Sequence, residues 1–413
     1  MLTGFKDKKI AFIGNIKDKI VLPRLHGMLA DYTFECIDLK RTHLKRILSD
    51  RSYSGYFLTS PLKGAAMQYM DEVSETARKV GCVNTAVRRD GKLYGDNTDY
   101  TGFSALIDAN KISPSGKKVI VLGTGDMAKA VRAVLNDRGA DEILLATRDD
   151  ITGLSCTDFH DDTALIVNTT HTGMANRLDV SPLSLRYFNE LEAVIDVIYY
   201  PFRTELMLQA EEYGIRAVGG QELLKACTKA SCELYCDRKI TDLAASRAES
   251  SVEAELKNIV LVGMPGCGKS VIAKELAKSL GREVFDTDEE ISRRAGLGIP
   301  EIYELFGEEY FRNNEAQIIK EVSRGAGAVI ACGAGAILQE DNIKELRRKS
   351  TVVFLRREVE RLATSGKRFG RDSLMKLYRE RIPLYLAASD VIVDVGGTPK
   401  DTAKAIVKAV YKK

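Results

Sequence analysis

The sequence predicts an α/β fold: open, largely parallel sheets in a two-lobed N-terminal part, followed by a separate C-terminal α/β sandwich. Three observations carry this. Short apolar runs recur along the chain with room for a helix between one and the next. Two of these runs end in glycine-rich turns of different types, Gly123-Thr-Gly-Asp-Met-Ala128 and Gly263-Met-Pro-Gly-Cys-Gly-Lys-Ser270. The length, 413 residues, corresponds to two to three domains at roughly 100–200 residues each.

In chain order, the apolar run Ile10–Ile13 ends at Gly14 and reads as a first strand, and Phe34–Leu39 and Gly55–Thr59 read as the next two. Lys118–Leu122 is continuously apolar after its lysine, as suits a parallel strand buried on both faces. Glu142–Ala146, Ala164–Asn168 and Ala193–Ile198 follow at spacings that leave space for helices. Residues 241–256 are small and polar with few apolar anchors, the signature of a linker with some helical character. Beyond it, Ile259–Val262, Ala328–Ala331, Thr351–Leu355 and Val391–Val393 repeat the strand pattern. Val284–Asp288 reads as a further strand, with Asp286 and Asp288 on one side of it. The expected lobes are 1–103, completed by a helix around 221–240; a Rossmann-like lobe at 104–220; the linker; and a nucleotide-binding sandwich at 257–413.

Composition excludes more than it assigns. Sixty-one basic residues face 58 acidic ones, a net charge of +3, so no global field favours nucleic acid or a membrane surface. Small anionic substrates need only local basic pockets. No apolar run approaches the ~20 residues that cross a bilayer, and Met1–Lys9 lacks an apolar segment, so a cytoplasmic protein is expected. The eight cysteines are scattered and read as reduced thiols. Cys232 and Cys236, with Cys227 nearby, lack paired Cys-x-x-Cys spacing and read as helix packing. The four histidines, His26, His43, His160 and His171, receive no catalytic role; His171, in the Asn168–Met174 loop, reads as a surface or packing residue rather than one near a nucleotide.

Gly263-x-x-x-x-Gly268-Lys269-Ser270, between a strand and a helical segment, is a P-loop. Backbone N–H groups across Gly263, Gly266, Cys267, Gly268 and Val271 wrap phosphates, helped by the helix N-terminus. Lys269 reaches the β- and γ-phosphates of ATP, and Ser270 ligates Mg²⁺. Asp286 would hold the metal through water, and Asp288 would engage an acceptor hydroxyl. The expected activity is that of an ATP-using kinase.

Further motifs narrow the acceptor. Gly307-Glu-Glu-Tyr-Phe-Arg-Asn-Asn-Glu315, Cys332-Gly-Ala-Gly335 and Arg381-Ile-Pro-Leu-Tyr385 follow in order. With the P-loop and Asp286/Asp288, these make residues 257–413 resemble shikimate kinase. That resemblance implies shikimate binding by Asp288, Arg312, Gly333, Gly335 and Arg381, with Asp288 orienting the 3-hydroxyl. Two arginines suit a carboxylate, which a guanidinium clamps in a planar, bidentate way. The glycine triplet of the family has Ala334 in its middle here. The lid motif Arg-Pro-Leu is replaced by Gly366-Lys-Arg-Phe-Gly-Arg371, in which Arg368 is the candidate lid arginine and Lys367 and Arg371 are its alternatives. Another small-metabolite P-loop kinase is the competing reading.

In the N-terminal part, Gly123, Gly125 and Ala128 form a Gly-x-Gly-x-x-Ala dinucleotide turn after a buried strand. Thr59-Ser-Pro-Leu-Lys63, Gly81-Cys-Val-Asn-Thr85, Gly95-Asp-Asn-Thr-Asp99, Asn168–Met174 and Asp196-Val-Ile-Tyr199 accompany it. Together they make residues 8–236 resemble shikimate dehydrogenase. The resemblance implies a Lys63–Asp99 pair for proton transfer during reduction of 3-dehydroshikimate, substrate contact by Asn84, and NADP as cofactor. Arg148 is placed to meet a 2′-phosphate, with Asp149 beside it opposing. Asp126 puts a negative charge at the pyrophosphate turn. Four substrate contacts of the family are altered: Ile20-Val-Leu-Pro23 stands for Ser-x-Ser-Pro, Phe57 for an asparagine and Cys227 for a glutamine. Two readings stay open. One is an active NADP-dependent dehydrogenase with a remodelled pocket. The other is a non-catalytic or altered-substrate module that scaffolds or regulates the kinase.

Overall fold

A computed structural model describes residues 4–14, 20–147, 162–174, 177–363 and 371–411. The chain forms two compact units, Met1–Val252 and Glu253–Lys413.

The first unit holds two sheets. One has strands β1 (Lys9–Gly14), β2 (Thr33–Asp38), β3 (Gly55–Leu58), β4 (Glu72–Val73), β5 (Thr85–Arg89) and β6 (Lys92–Asp96), in the order β2-β1-β3-β5-β6-β4. β1 pairs parallel to β2 and β3, whereas β5 is antiparallel to β3 and β6. The reading of a largely parallel sheet therefore misses a hairpin. Its signal is Asp90-Gly91, where φ is +48° and +79°, the left-handed pair that a tight two-residue turn demands. Helices α1 (Val21–Leu29), α2 (Leu44–Leu48), α3 (Lys63–Ala66) and α4 (Glu75–Val80) belong to this lobe.

Helix α5 (Thr98–Ala109) leads to the second sheet, β7 (Lys118–Leu122), β8 (Glu142–Ala146), β9 (Thr163–Asn168), β10 (Ala193–Asp196) and β11 (Arg216–Val218), in the all-parallel order β11-β10-β9-β7-β8. β10 stops at Asp196, short of the expected Ile198, because the Asp196 carboxylate turns back to accept from Ile198 N and Thr204 Oγ1. Helices α6 (Asp126–Asp137) and α7 (Glu205–Glu212) serve this sheet, and α8 (Gln221–Cys236) returns along α5. The α5–α8 crossing is close enough to require a glycine. A Cβ on Gly102 would lie 2.6 Å from Leu223 O. The far end of α8 reaches the first lobe, where the Tyr235 hydroxyl donates to Tyr56 O at 2.9 Å.

The segment expected as a linker is helix α9 (Asp242–Leu256). The second unit has strands β12 (Asn258–Val262), β13 (Val284–Asp286), β14 (Val329–Ala331), β15 (Ser350–Arg356) and β16 (Val391–Asp394), parallel in the order β13-β14-β12-β15-β16. Its helices are α10 (Lys269–Leu280), α11 (Thr287–Ala295), α12 (Ile299–Ser323, bent at Gly307), α13 (Glu340–Arg348), α14 (Val359–Ala363), α15 (Arg371–Ala388) and α16 (Pro399–Tyr411). Ile259–Val262 is fully buried, packing in one core with Ile272 and Leu276 of α10 and Ala403 and Ile406 of α16.

One strand expectation fails instructively. Asp286 and Asp288 do not share a strand face, because β13 ends at Asp286 and Asp288 lies in the first turn of α11. Asp286 is the N-cap: its Oδ1 accepts from Asp288 N at 3.1 Å and Glu289 N at 3.2 Å. Asp-Thr-Asp-Glu is a helix-start sequence, and capping overrides the alternation.

Among the described residues, no helix is long and apolar enough to cross a membrane, and no His/Cys/Asp/Glu group is arranged to hold a metal ion. Cys227, Cys232 and Cys236 are buried along α8. His26 is fully buried with its ring stacked on Phe34 at 4.1 Å, and burial lowers its pKa to about 3. His43 and His171 are exposed; His160 lies outside the described residues.

Candidate active sites

In the second unit, the P-loop joins β12 to α10. Gly263, Gly266 and Gly268 have φ of +154°, +73° and +97°, values that side-chain-bearing residues avoid. At Gly263 a Cβ would also lie 2.8 Å from Leu355 O. Cys267 is buried, so it offers the loop its backbone, whereas Val271 is exposed on the first turn of α10. Lys269 Nζ donates to Gly263 O at 2.9 Å and to Met264 O at 3.2 Å, curled over the loop that it serves.

A cavity of about 440 Å³ opens beside this loop. Gly266, Gly268, Lys269, Ser270, Asp286, Asp288, Arg312, Gly333, Gly335 and Arg381 all line it. Most of the sites expected in this unit thus converge, from the P-loop, α11, α12, the Cys332–Gly335 loop and α15. Arg368 and Lys367 lie outside the described residues, and of Arg371 only the backbone, at the start of α15, is described.

Glu315, which closes the Gly307–Glu315 motif but was assigned no role from the sequence, is also part of the site. Its carboxylate is fully buried, 2.7 Å from Arg312 Nη1 through Oε2. Oε1 has no hydrogen-bond partner among the described residues. Burial pushes the Glu315 pKa up, against the pull of the Arg312 guanidinium. The i, i+3 spacing from Arg312 on α12 was its signal. The glycines of the neighbouring loop have a steric reason. A Cβ on Gly333 would lie 2.5 Å from Asp288 Oδ1 and 2.7 Å from Glu315 Oε1, and one on Gly335 would collide with the Arg312 guanidinium. Ala334 sits between them, half-buried, and its carbonyl accepts from Arg381 Nη1 at 3.0 Å.

As a possible metal site, Ser270 and Asp286 offer hydroxyl and carboxylate oxygens on one cavity, the hard donors that suit Mg²⁺. The cap uses Asp286 Oδ1 and leaves Oδ2 without a hydrogen bond among the described residues. The donor chemistry therefore fits.

In the first unit, Lys63 at the start of α3 and Asp99 in the first turn of α5 form a buried ion pair, Nζ to Oδ2 at 2.6 Å. Burial works to lower the Lys63 pKa, but the Asp99 charge and hydrogen bond outweigh it and the net shift is upward. Asn84 joins them, its Nδ2 donating to Asp99 Oδ1 at 2.8 Å and to Thr98 Oγ1 at 3.0 Å. Cys227 Sγ lies 3.7 Å from Asn84 Nδ2 and 3.9 Å from Asp99 Oδ1. Burial pushes that thiol up to about 12, so it stays neutral.

The other altered positions have structural places. Val21 and Leu22 are buried in the first turn of α1, while Ile20 is exposed. Phe57 packs on Phe12 and His26, with ring centroids at 5.5 and 5.7 Å. Of the altered positions, Leu22 and Phe57 are thus buried and Ile20 is not.

The dinucleotide turn follows β7. Gly123 has φ of +103°, and a Cβ there would lie 2.8 Å from Thr169 Oγ1. Gly125 is the N-cap of α6, and Ala128 is buried against the sheet core. The Asp126 charge is answered locally: Oδ1 pairs with Lys129 Nζ at 3.1 Å, and Oδ2 accepts from Ser60 Oγ at 3.2 Å. Arg148 and Asp149 lie outside the described residues.

Comparison with known proteins finds two families along the chain. The family model for shikimate kinase matches residues 265–411, and that for the shikimate dehydrogenase substrate-binding domain matches residues 24–86. A shikimate kinase of Bordetella avium is 37% identical over 185 residues, covering 41% of this chain and 87% of that protein. A shikimate dehydrogenase (NADP(+)) of Dehalococcoides mccartyi is 30% identical over 233 residues, covering 51% of this chain and 82% of that protein. Among solved structures, the shikimate 5-dehydrogenase of Thermus thermophilus, in complex with NADP(H) and shikimate, matches at 25% identity and a TM-score of 0.52, over 59% of this chain and 99% of that one. The chain therefore belongs to the shikimate dehydrogenase family in its N-terminal part and to the shikimate kinase family in its C-terminal part.

Proposed function

We propose that the second unit transfers the γ-phosphoryl group of ATP to the 3-hydroxyl of shikimate, and that the first unit interconverts 3-dehydroshikimate and shikimate with NADP. The product of one reaction is the substrate of the other, on the route to chorismate and the aromatic amino acids. Only small molecules are engaged, in the cytoplasm. The observation that carries the kinase reading is the convergence of Lys269, Asp288, Arg312 and Arg381 on one cavity.

Phosphoryl transfer is mostly positioning and charge neutralisation. Arg312, held by Glu315, and Arg381, which rests on the Ala334 carbonyl in the absence of ligand, would clamp the shikimate carboxylate. Asp288 would orient the 3-hydroxyl and accept its proton. The P-loop amides and Lys269 would hold the phosphates, and Arg368 is the lid candidate for the charge that develops in transfer. Ser270 and Asp286 would hold Mg²⁺, which when bound neutralises phosphate charge. In the other unit, the nicotinamide would supply or accept the hydride. Lys63, fixed by Asp99, would give a proton to the nascent hydroxyl oxygen or take it back. Asn84 would orient the substrate, with Gly123, Gly125, Ala128 and Arg148 serving NADP.

Leu22, Phe57 and Cys227 favour a second reading of the first unit, in which the pocket accepts a different hydroxy compound or none. Losing one hydrogen bond to a polar ligand costs about 1–3 kcal/mol, and four contacts are altered. The full chain should release ADP in the presence of shikimate, and gluconate or nucleoside monophosphates should not replace it. NADP⁺ reduction by shikimate should exceed that of a Lys63→Ala variant. Equal rates would eliminate shikimate as the substrate of the first unit.

A further inference from the structure

The Tyr385 hydroxyl lies between two carbonyl oxygens that belong to different ligand loops. It is 2.8 Å from Gly263 O in the P-loop and 2.7 Å from Ala334 O in the Cys332–Gly335 loop. A phenol carries a single proton, so it donates fully to one acceptor at a time. The ring is buried and stacked on Phe354 at 5.1 Å with 10° between planes, which fixes the oxygen in place. Burial also raises the pKa, so the proton stays on.

Each carbonyl has a second donor, and both are cations. Lys269 Nζ is 2.9 Å from Gly263 O, and Arg381 Nη1 is 3.0 Å from Ala334 O. On the kinase reading above, on which this inference rests, these cations turn to ligand: Lys269 to the phosphates, Arg381 to the acceptor carboxylate.

We propose that Tyr385 is a positioning residue that compensates whichever loop carbonyl loses its cation when the first ligand binds. With nucleotide alone, Lys269 turns to phosphate, the phenol proton serves Gly263 O, and Arg381 keeps Ala334 O. With the acceptor alone, the proton serves Ala334 O and Lys269 keeps Gly263 O. With both bound, one proton faces two carbonyls and one is left short. The hydroxyl therefore strengthens binding of the first ligand, whichever it is, and contributes nothing to the second.

Tyr385→Phe keeps the ring and deletes the proton. Calorimetry on the full chain, with a non-hydrolysable ATP analogue and with shikimate, separates the cases. Each ligand alone should bind about tenfold more weakly in the variant, the cost of one unsatisfied buried acceptor. Each should bind the enzyme already saturated with the other as tightly as in the wild type. KM at saturating co-substrate should then be unchanged. Equal losses in the binary and ternary complexes would make the hydroxyl merely structural and overturn the proposal, as would unchanged binary affinities. A wild-type chain without shikimate-dependent ADP release would overturn the kinase reading itself, and the proposal with it.

Discussion

Lys63 makes the most direct link between burial and chemistry. A lysine buried without a partner would shed its proton, but Asp99 at 2.6 Å holds the ammonium. Because its pKa is raised, the pair's contribution to stability is fully present below the ordinary lysine value of 10.5 and is lost only as pH rises through the folded value. The same sign governs catalysis. Shikimate oxidation needs the neutral amine as base, so its rate should climb through pH 8–10 without a plateau, while reduction keeps its proton donor across that range. A pH–rate profile in each direction checks this, and an oxidation plateau near neutrality would sink the assignment. Lys63→Met should lower the dehydrogenase rate by about 10²–10⁴-fold and leave ADP release untouched. Gly335→Ala makes the complementary test in the kinase. Its methyl would displace the Arg312 guanidinium, so KM for shikimate should rise about tenfold or more with KM for ATP unchanged. The site residues were legible where a motif fixes both type and spacing, as at Gly263–Ser270 and Asp99. Glu315 and Tyr385 stand in the quoted motifs, yet their roles were not legible, since a motif does not name the hydrogen-bond partners that the fold supplies, such as Gly263 O and Ala334 O for Tyr385.

At the level of elements, sequence pattern located the central strands and misjudged the ends of Val284–Asp288 and Ala193–Ile198. β7 and β12 are buried on both faces and are continuous apolar runs, a pattern with one interpretation. The ends are decided by side chains that hydrogen-bond back to the chain, Asp286 at α11 and Asp196 after β10, and apolar pattern carries no such information. The altered residues on α1 and β3 illustrate a further limit. As letters, Leu22 and Phe57 read as lost substrate contacts; in the fold both are buried, and Phe57 packs with Phe12 and His26. That cluster carries its own prediction. His26 faces Tyr32 and Cys232, and its folded pKa of about 3 lies below the ordinary 6.5. A depressed histidine stabilises the fold above about pH 6.5, and that stability is lost as pH falls, by about 1.4 kcal/mol per unit. His26→Phe should flatten the acid limb of the first unit's unfolding midpoint between pH 6.5 and 4.5. Parallel limbs in calorimetric scans of both proteins would rule the histidine out as the cause.

For the whole molecule, the decisive fact is the division at Val252–Glu253. The principal core of the second unit draws its members from residues 259–406, and a smaller cluster of Ile291, Ile302, Phe311 and Ile318 lies under α11 and α12. Every described residue of the candidate kinase site falls within that unit. Helix α9 contributes to both sides of the division: Lys225 pairs with Glu249 at 3.3 Å in the first unit, while Gly327 N donates to Leu256 O at 3.0 Å in the second. A domain with its own core and its own ligand cavity has what it needs to fold alone. Residues 253–413, expressed separately, should therefore be soluble and monophasic in unfolding, with kcat and KM for both kinase substrates within about twofold of the full chain. Starting instead at residue 258 removes Leu256 and the carbonyls of Ala254 and Lys257 that Arg282 binds. That shorter fragment should unfold at a lower temperature at similar kcat. If the longer fragment folds but loses activity, the first unit contributes to catalysis in the second, and the two activities are coupled by more than a shared metabolite.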